Sequence, residues 1–216
     1  MDFTVIDTEL VAKLLLLLLI GLGPKIALVP FLEKTKAFDA DTQRQIGRRM
    51  VMVAVITSLV LFASGAFLMR LLHITTGAVG VAGGIILALI AIKMATAQHD
   101  EPPVTEKSSV DPKKIAVYPL AIPYLLNPVG ITVLIVASEK VVSIASAGLV
   151  VGLVLLVGLL DYLVFSNIDK LAKRLNPTTL VISEVVFGIL LTAVAVQLAV
   201  AGLDDLGIIS GQGAAH

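Results

Sequence analysis

Residues 127–130 read Asn-Pro-Val-Gly and lie inside an apolar run that extends from Ile115 to Ala137. A proline lacks a backbone donor and its ring clashes with the preceding turn, so this run predicts a helix that is broken near its middle. A second apolar run, from Leu10 to about Leu32, contains Gly23-Pro24-Lys25-Ile26 and predicts a second broken helix. Breaks of this kind favour a binding site, because backbone groups freed inside a membrane must face protein, water or a ligand.

The composition is typical of a membrane protein. Of the 216 residues, 57% are hydrophobic and 15% are charged, and the mean hydropathy is +1.01, whereas an ordinary soluble domain is roughly 45–50% apolar. The formal net charge is zero, so no nucleic-acid partner is expected. The chain has no cysteine and no clustered histidine or carboxylate ligands, so we expect no disulfide, no metal, no cofactor and no enzyme activity.

The two proline breaks are 104 residues apart, and the same offset relates a second pair of segments. Residues 84–95, Gly-Ile-Ile-Leu-Ala-Leu-Ile-Ala-Ile-Lys-Met-Ala, align without a gap on residues 188–199, Gly-Ile-Leu-Leu-Thr-Ala-Val-Ala-Val-Gln-Leu-Ala, with five identities. A constant offset of this kind predicts an internal duplication. Gly80 and Gly84 also form a small-xxx-small pattern, which favours close packing of another helix.

The duplication predicts an all-α membrane protein of six transmembrane helices, arranged as two inverted three-helix repeats with the first and fourth helices broken. An odd number of spans per repeat turns the second repeat over in the membrane, as in many secondary transporters. The expected parts are a first repeat at residues 1–97, a cytoplasmic linker at 98–114, a second repeat at 115–203 and a tail at 204–216. The expected spans are Leu10–Leu32, Met50–Met69, Ile74–Ala97, Ile115–Ala137, Ser143–Phe165 and Pro177–Leu203.

Basic residues predict the orientation of the spans. The connectors after the first, third and fifth spans contain eleven Lys and Arg residues, and the opposite side contains three. This excess places those connectors in the cytoplasm and both termini outside it. The first of them, from Glu33 to Arg49, is expected to be a polar connector in which Asp39 and Asp41 are available to cap the next helix.

The chemistry of the two breaks suits a zwitterion. The freed N-terminus of a second half-helix attracts a carboxylate, and the freed carbonyls of a first half-helix attract an ammonium group or a cation. Two breaks that meet inside the membrane would therefore form a cradle for an amino acid. The candidate substrate-binding residues are Gly23, Pro24, Lys25, Asn127, Pro128, Gly130 and Thr132. In the alternative interpretation, the prolines only kink packed helices.

Three segments together resemble the MarC family of bacterial inner-membrane proteins. They are Pro119 to Pro123 followed by Asn127-Pro128-Val129-Gly130-Ile131-Thr132, the helix from Gly83 to Met94, and Ser183 with Phe187-Gly188 and Val196-Gln197. The resemblance extends from the first break to Leu203. It implies a six-span inverted repeat and, by analogy with characterised members of that family, transport of small neutral amino acids such as glycine or alanine.

Two charged residues depart from the pattern of that family. The first break of the family usually reads Asn-Pro-x-Gly, whereas this chain has Gly23-Pro24-Lys25-Ile26, so the amide is replaced and a cation is present. In the sixth span Glu184 follows Ser183, where some members carry a basic residue. A charge inside a membrane costs at least about 2.5–3.5 kcal/mol unless it is paired, hydrated or neutralised. Lys25 and Glu184 have similar predicted depths, so we expect a buried ion pair, which either couples transport to protons or fixes helix register.

Asp161 is a further charged residue within an expected span. Asp161 lies about four residues from the cytoplasmic end of the fifth span and is expected to reach the interface or Lys170.

A secondary transporter that works by alternating access is the favoured function. The alternative is a membrane module that transports nothing alone, such as a lipid-binding or regulatory subunit. A dry interface at the breaks would favour the module, and a hydrated cavity would favour the carrier.

Overall fold

The computed structural model describes residues 8–96, 111–168 and 177–209, with the side chains of residues 177–181 and 184 excluded. Within these ranges every regular element is helical. The helices are α1 (Thr8–Gly21), α2 (Pro24–Thr35), α3 (Ala40–Leu72), α4 (Thr76–Ala95), α5 (Pro112–Leu125), α6 (Pro128–Lys140), α7 (Ile144–Ser166) and α8 (Pro177–Asp205). The prediction of an all-α protein is confirmed.

Five segments of the described chain are long and apolar enough to cross a membrane. One of them is the α1–α2 segment, and the bent pair of α5 and α6 makes a sixth if it forms one span. This agrees with the six spans expected. Most of the predicted linker at 98–114 and of the tail at 204–216 lies outside the described residues.

The first break lies where the sequence predicted it. Helix α1 ends at Gly21 and α2 begins at Pro24. Between them Gly23 has an extended backbone, with φ −90° and ψ 162°. The break follows from chemistry, since Pro24 has no N–H to donate to the carbonyl of Ile20 four residues earlier.

The second break is more elaborate than the single interruption predicted at Asn127-Pro128. Helix α5 contains Pro119 and Pro123, and the residues before them, Tyr118 and Ile122, have extended backbones. The axis then turns by 71° between α5 and α6. A residue that precedes proline is pushed out of the helical region, so α5 follows an irregular path with wide turns from Ala116 onward.

Helix α3 begins at Ala40, ten residues before the predicted membrane span, as the expected cap at Asp39 implies. The Asp39 side chain accepts from the backbone N–H of Thr42 at 3.1 Å and caps the helix at Ala40. Arg44, Arg48 and Arg49 are therefore helical. Hydropathy located only the apolar part of this helix, whereas the cap determines where the helix begins.

The broken spans form the centre of the molecule. In the most apolar 18-residue stretch of the α1–α2 segment, 56% of the residues are buried. The corresponding share is 22–39% in the four other long segments. Helix α1 packs against α6 and α7, and α2 packs against α5. Helix α3 covers α5, α6 and α7 from outside. The breaks are thus enclosed by the other helices.

Helices α4 and α8 form the most extensive helix pair, and their contacts are reciprocal. A Cβ placed on Gly84 would lie 2.7 Å from the carbonyl oxygen of Ala195, and one placed on Gly188 would lie 2.9 Å from that of Ala91. Gly84 matches Gly188, and Ala91 matches Ala195, under the offset of 104. A twofold axis between the repeats would produce such contacts, although the inverted orientation in the membrane stays a prediction.

Candidate functional site

The two breaks meet, and they do so backbone to backbone. Gly21, at the end of α1, contacts Gly130, in the first turn of α6. A Cβ on either glycine would overlap backbone atoms of the other. Glycine is needed at both positions because only a residue without a side chain permits this approach. The expectation that the breaks come together is confirmed.

Asn127 joins the two breaks through hydrogen bonds. Its Nδ2 donates to the carbonyl oxygen of Ile20 at 2.6 Å, and its backbone N–H donates to that of Gly21 at 2.9 Å. In an unbroken helix these carbonyls would accept from residues 24 and 25, but residue 24 is a proline and the helix is interrupted. Asn127 therefore supplies donors that the first broken span cannot supply itself.

The same side chain caps the second half-helix. Asn127 Oδ1 accepts from the backbone N–H groups of Val129 at 2.9 Å and of Gly130 at 3.3 Å. These are two of the donors that the start of a helix leaves unsatisfied. Both polar atoms of the amide, which the sequence assigned to a ligand, are therefore engaged within the protein, and Asn127 is fully buried.

The N-terminus of α2 is treated differently. Gly23 occupies the capping position, and no side chain caps this helix. The place where a Cβ of Gly23 would lie is taken by the carbonyl oxygen of Leu19. Lys25 follows in the first turn with an exposed side chain. The first break therefore combines a cation with a helix N-terminus that has no side-chain partner.

The remaining predicted site residues lie around this crossing. Pro24 and Pro128 are the first residues of α2 and α6, where a missing N–H does no harm. Thr132 lies one turn into α6, is 4% exposed, and directs its hydroxyl oxygen toward Gly83 of α4. The predicted set is thus brought together at one place. In this conformation the cradle is filled by protein.

Of the predicted pair of Lys25 and Glu184, the structure describes only the side chain of Lys25. The side chain of Glu184 lies outside the described residues, so the ion pair stays a prediction. The Nζ of Lys25 lies 5.8 Å from the ring centroid of Phe187, three residues beyond Glu184 on α8. Because residues three apart are neighbours on a helix surface, this contact places Lys25 beside the turn that carries Glu184.

Asp161 is where the structure departs furthest from the sequence. The carboxyl group was expected to reach the interface or Lys170. Lys170 lies outside the described residues, and Asp161 is 0% exposed. Neither carboxyl oxygen has a hydrogen-bond partner in the described chain. The spacing of residues in α7 could have predicted this burial. Asp161 shares a helix face with Val154, Gly158 and Phe165, which recur at intervals of three and four, and all four are buried.

No metal site was found within the described ranges. No three histidine, aspartate or glutamate side chains there are grouped closely enough to hold a metal ion. The unpaired carboxyl of Asp161 therefore stands without the further oxygen ligands that Ca²⁺ or Mg²⁺ requires.

Comparison with known proteins agrees with the architecture. The family model described as MarC family integral membrane protein matches residues 8–206. A UPF0056 membrane protein of Methanocaldococcus jannaschii is 28% identical over 185 residues, which cover 84% of this chain and 90% of that protein. The UPF0056 membrane protein YvbG of Bacillus subtilis is 26% identical over 185 residues, with coverage of 82% and 85%.

A third relative, a UPF0056 membrane protein of Buchnera aphidicola, is 33% identical over 132 residues, which cover 61% of this chain and 65% of that protein. No solved structure matches the chain. The names of the relatives describe membrane proteins and give no substrate.

Proposed function

Since the chain belongs to the MarC family of integral membrane proteins, we propose that it is a secondary carrier of small neutral amino acids such as glycine or alanine. The observation that carries the proposal is that only one of the two helix starts at the breaks is capped by a side chain. The helix start at the second break is capped by Asn127, whereas the helix start at the first has no side-chain cap and is followed by Lys25. An uncapped helix start beside a lysine suits a carboxylate.

The other half of a zwitterion would use the carbonyls of Ile20 and Gly21. Asn127 now donates to both, and an ammonium group provides the same kind of donor. In the proposed cycle the second broken span withdraws, and the substrate replaces Asn127 at these carbonyls. Its carboxylate then lies at the start of α2, near Gly23, Pro24 and Lys25. Gly130, Pro128 and Thr132 form the surface that withdraws.

The proposed cycle requires the closed breaks to part. The described conformation corresponds to the state in which Asn127 occupies the position of the substrate. Rocking of one repeat against the other would open the crossing to each side of the membrane in turn. We further propose a bacterial inner membrane and both termini outside the cytoplasm, on the basis of the excess of Lys and Arg in the odd-numbered connectors.

One observation favours a second candidate, a membrane module that transports nothing alone. Leu22, Leu126, Asn127 and Val129 are at most 1% exposed, so the crossing is as tightly packed as an ordinary core. In that case the hydrogen bonds of Asn127 would serve only to join two kinked helices. The two candidates differ in whether the crossing ever opens to water.

Counterflow uptake of labelled glycine and alanine into proteoliposomes tests the proposal. Wild type should show saturable uptake, and Asn127→Ala should lose it, because the opening and closing of the breaks depends on this side chain. Ser58→Ala is the matched control, since Ser58 is also fully buried but bonds only to the Ala54 carbonyl of its own helix. Absence of saturable uptake by correctly inserted wild type would contradict the proposal.

Thiol labelling separates the two candidates even if Asn127→Ala fails to fold. The native chain has no cysteine, so a single introduced thiol reports on one position. Leu22→Cys, at the first break, should react with a water-soluble thiol reagent, and saturating glycine should change the rate. Leu87→Cys, equally buried in α4, should remain unreactive. Equal protection of both thiols would favour the module.

A further inference from the structure

The buried carboxyl of Asp161 lies in a seam between two antiparallel helices. A Cβ on Gly158 of α7 would meet the side chain of Val55 of α3, and one on Gly47 of α3 would meet Phe165 of α7. Asp161 is placed between these two contacts on the buried face of α7. The part of α3 between the same contacts includes Met50 and Val51, which are buried. The surroundings of the carboxyl are therefore apolar.

Charged residues on the helices packed against α7 do not satisfy this carboxyl. Helix α7 packs against α1 and α3. Their charged residues are Glu9 and Lys13 on α1, and Asp41, Arg44, Arg48, Arg49 and Arg70 on α3. Glu9 and Lys13 form an ion pair with each other, and so do Asp41 and Arg44. None of the seven bonds to Asp161 in the described structure.

Arg48 nevertheless contacts the residue next to Asp161 in sequence. Its guanidinium carbon lies 5.7 Å from the ring centroid of Tyr162, the residue that follows Asp161. A groove of about 420 Å³ runs along the outside of the same seam. Its lining is mostly apolar, and Arg48 of α3 and Tyr162 of α7 are its polar members. Gly158 and Tyr162 of this lining flank Asp161 in sequence. A small separation of α3 from α7 would connect the carboxyl to this groove.

An isolated carboxylate is unstable in such a place, whereas a carboxylic acid is tolerated. We propose that Asp161 is the proton-binding site of the transport cycle. The closed seam holds the neutral acid. When the seam opens, the O–H bond breaks, the proton passes to water in the groove, and the carboxylate that remains is stabilised by the Arg48 guanidinium. Closing reverses these steps.

This inference rests on the proposed carrier function for its place in a cycle, but not for the binding of the proton itself. A metal cation is a poorer occupant, because Na⁺-sized and larger ions need several oxygen ligands, and the described seam offers a single carboxyl. The proton needs only the carboxyl. A test can therefore examine proton binding and transport separately.

Infrared difference spectroscopy of the reconstituted full chain tests proton binding directly. At neutral pH, wild type should show the carbonyl stretch of a protonated carboxyl group, and Asp161→Asn should lose that band. Ser166→Ala is the matched control, since Ser166 also has a buried polar atom without a partner on α7, and it should keep the band. A wild-type spectrum identical to that of Asp161→Asn would overturn the inference.

Uptake under an imposed gradient tests the place of the proton in the cycle. A pH gradient should change the rate of glycine uptake by wild type and by Ser166→Ala, and the response should be lost in Asp161→Asn. An undiminished response in Asp161→Asn, or a response of wild type to sodium alone, would overturn the coupling role. If wild type transports nothing, the carrier proposal fails, while the infrared band still decides whether Asp161 holds a proton.

Discussion

The two breaks stand at equivalent places in the sequence, 104 residues apart, and are closed in different ways. The second break contains Asn127, whose side chain caps its own helix and also reaches across to the first. The first break contains Gly23, which caps nothing and leaves no room for a side chain. One break therefore supplies hydrogen bonds to both, and the other depends on its partner.

This difference separates two tasks that a symmetric pair of breaks would share. Closure of the crossing depends on the second break, where Asn127 supplies the hydrogen bonds that join the two broken spans. In the proposed carrier, recognition of a charged ligand would fall to the first break, where Lys25 accompanies a helix start without a side-chain cap. The contrast yields three predictions, each of which changes one side of it.

Asn127→Ala should have the largest effect on stability. The change removes a helix cap, which contributes about 0.5–2 kcal/mol, and leaves the partly buried Ile20 carbonyl without its donor, which costs about 1–3 kcal/mol. We expect a loss of about 2–4 kcal/mol in the free energy of unfolding, measured by denaturant unfolding in detergent. Ser58→Ala should lose at most about 1 kcal/mol. Equal losses in the two variants would mean that Asn127 does not join the breaks.

Gly130→Ala should have a smaller but clear effect. The added methyl group overlaps the backbone of Gly21, and overpacking of this kind costs about 1–3 kcal/mol. Gly152→Ala is the control, because a Cβ on Gly152 of α7 meets nothing within 4 Å. That variant should gain about 0.5–1 kcal/mol from helix propensity. Thermal unfolding should show a lower melting temperature for Gly130→Ala and a higher one for Gly152→Ala. A higher melting temperature for Gly130→Ala would contradict the backbone contact.

Lys25→Gln should have the smallest effect on stability and a selective effect on transport. The side chain is exposed and contacts the Phe187 ring, so unfolding should change by about 0.5 kcal/mol. Loss of the cation should raise the KM for glycine about tenfold, which corresponds to about 1.4 kcal/mol of binding. Lys36→Gln, at the other end of α2, should leave the KM unchanged. A kcat effect without a KM effect would argue against carboxylate binding at Lys25.

The sequence predicted those parts of the fold that depend on local chemistry. Pro24 and Pro128 located the breaks, the pattern of Gly80 and Gly84 located the close contact with α8, and Asp39 was identified as a possible cap. Each of these is decided by a residue and its near neighbours. Hydropathy also indicated the long apolar segments, although the apolar span predicted from Met50 begins ten residues after the start of α3.

The parts that could not be predicted depend on tertiary pairing. Nothing near Asn127 indicates that its amide donates to Ile20, which lies 107 residues away in sequence. Likewise, distance from the end of a span suggested an accessible Asp161, whereas the packing of α3 against α7 buries it. Depth in a membrane and burial in a protein are separate quantities, and sequence position reports mainly the first.

The contact between Gly21 and Gly130 also has a mechanical meaning. In most helix interfaces a small displacement is absorbed when side chains change rotamer. Two glycines have no side chains that could change rotamer. Any shift of one broken span therefore presses directly on the other span or breaks the hydrogen bonds that join them. The crossing should therefore respond to force as a latch, rigid up to a threshold and then released in one step.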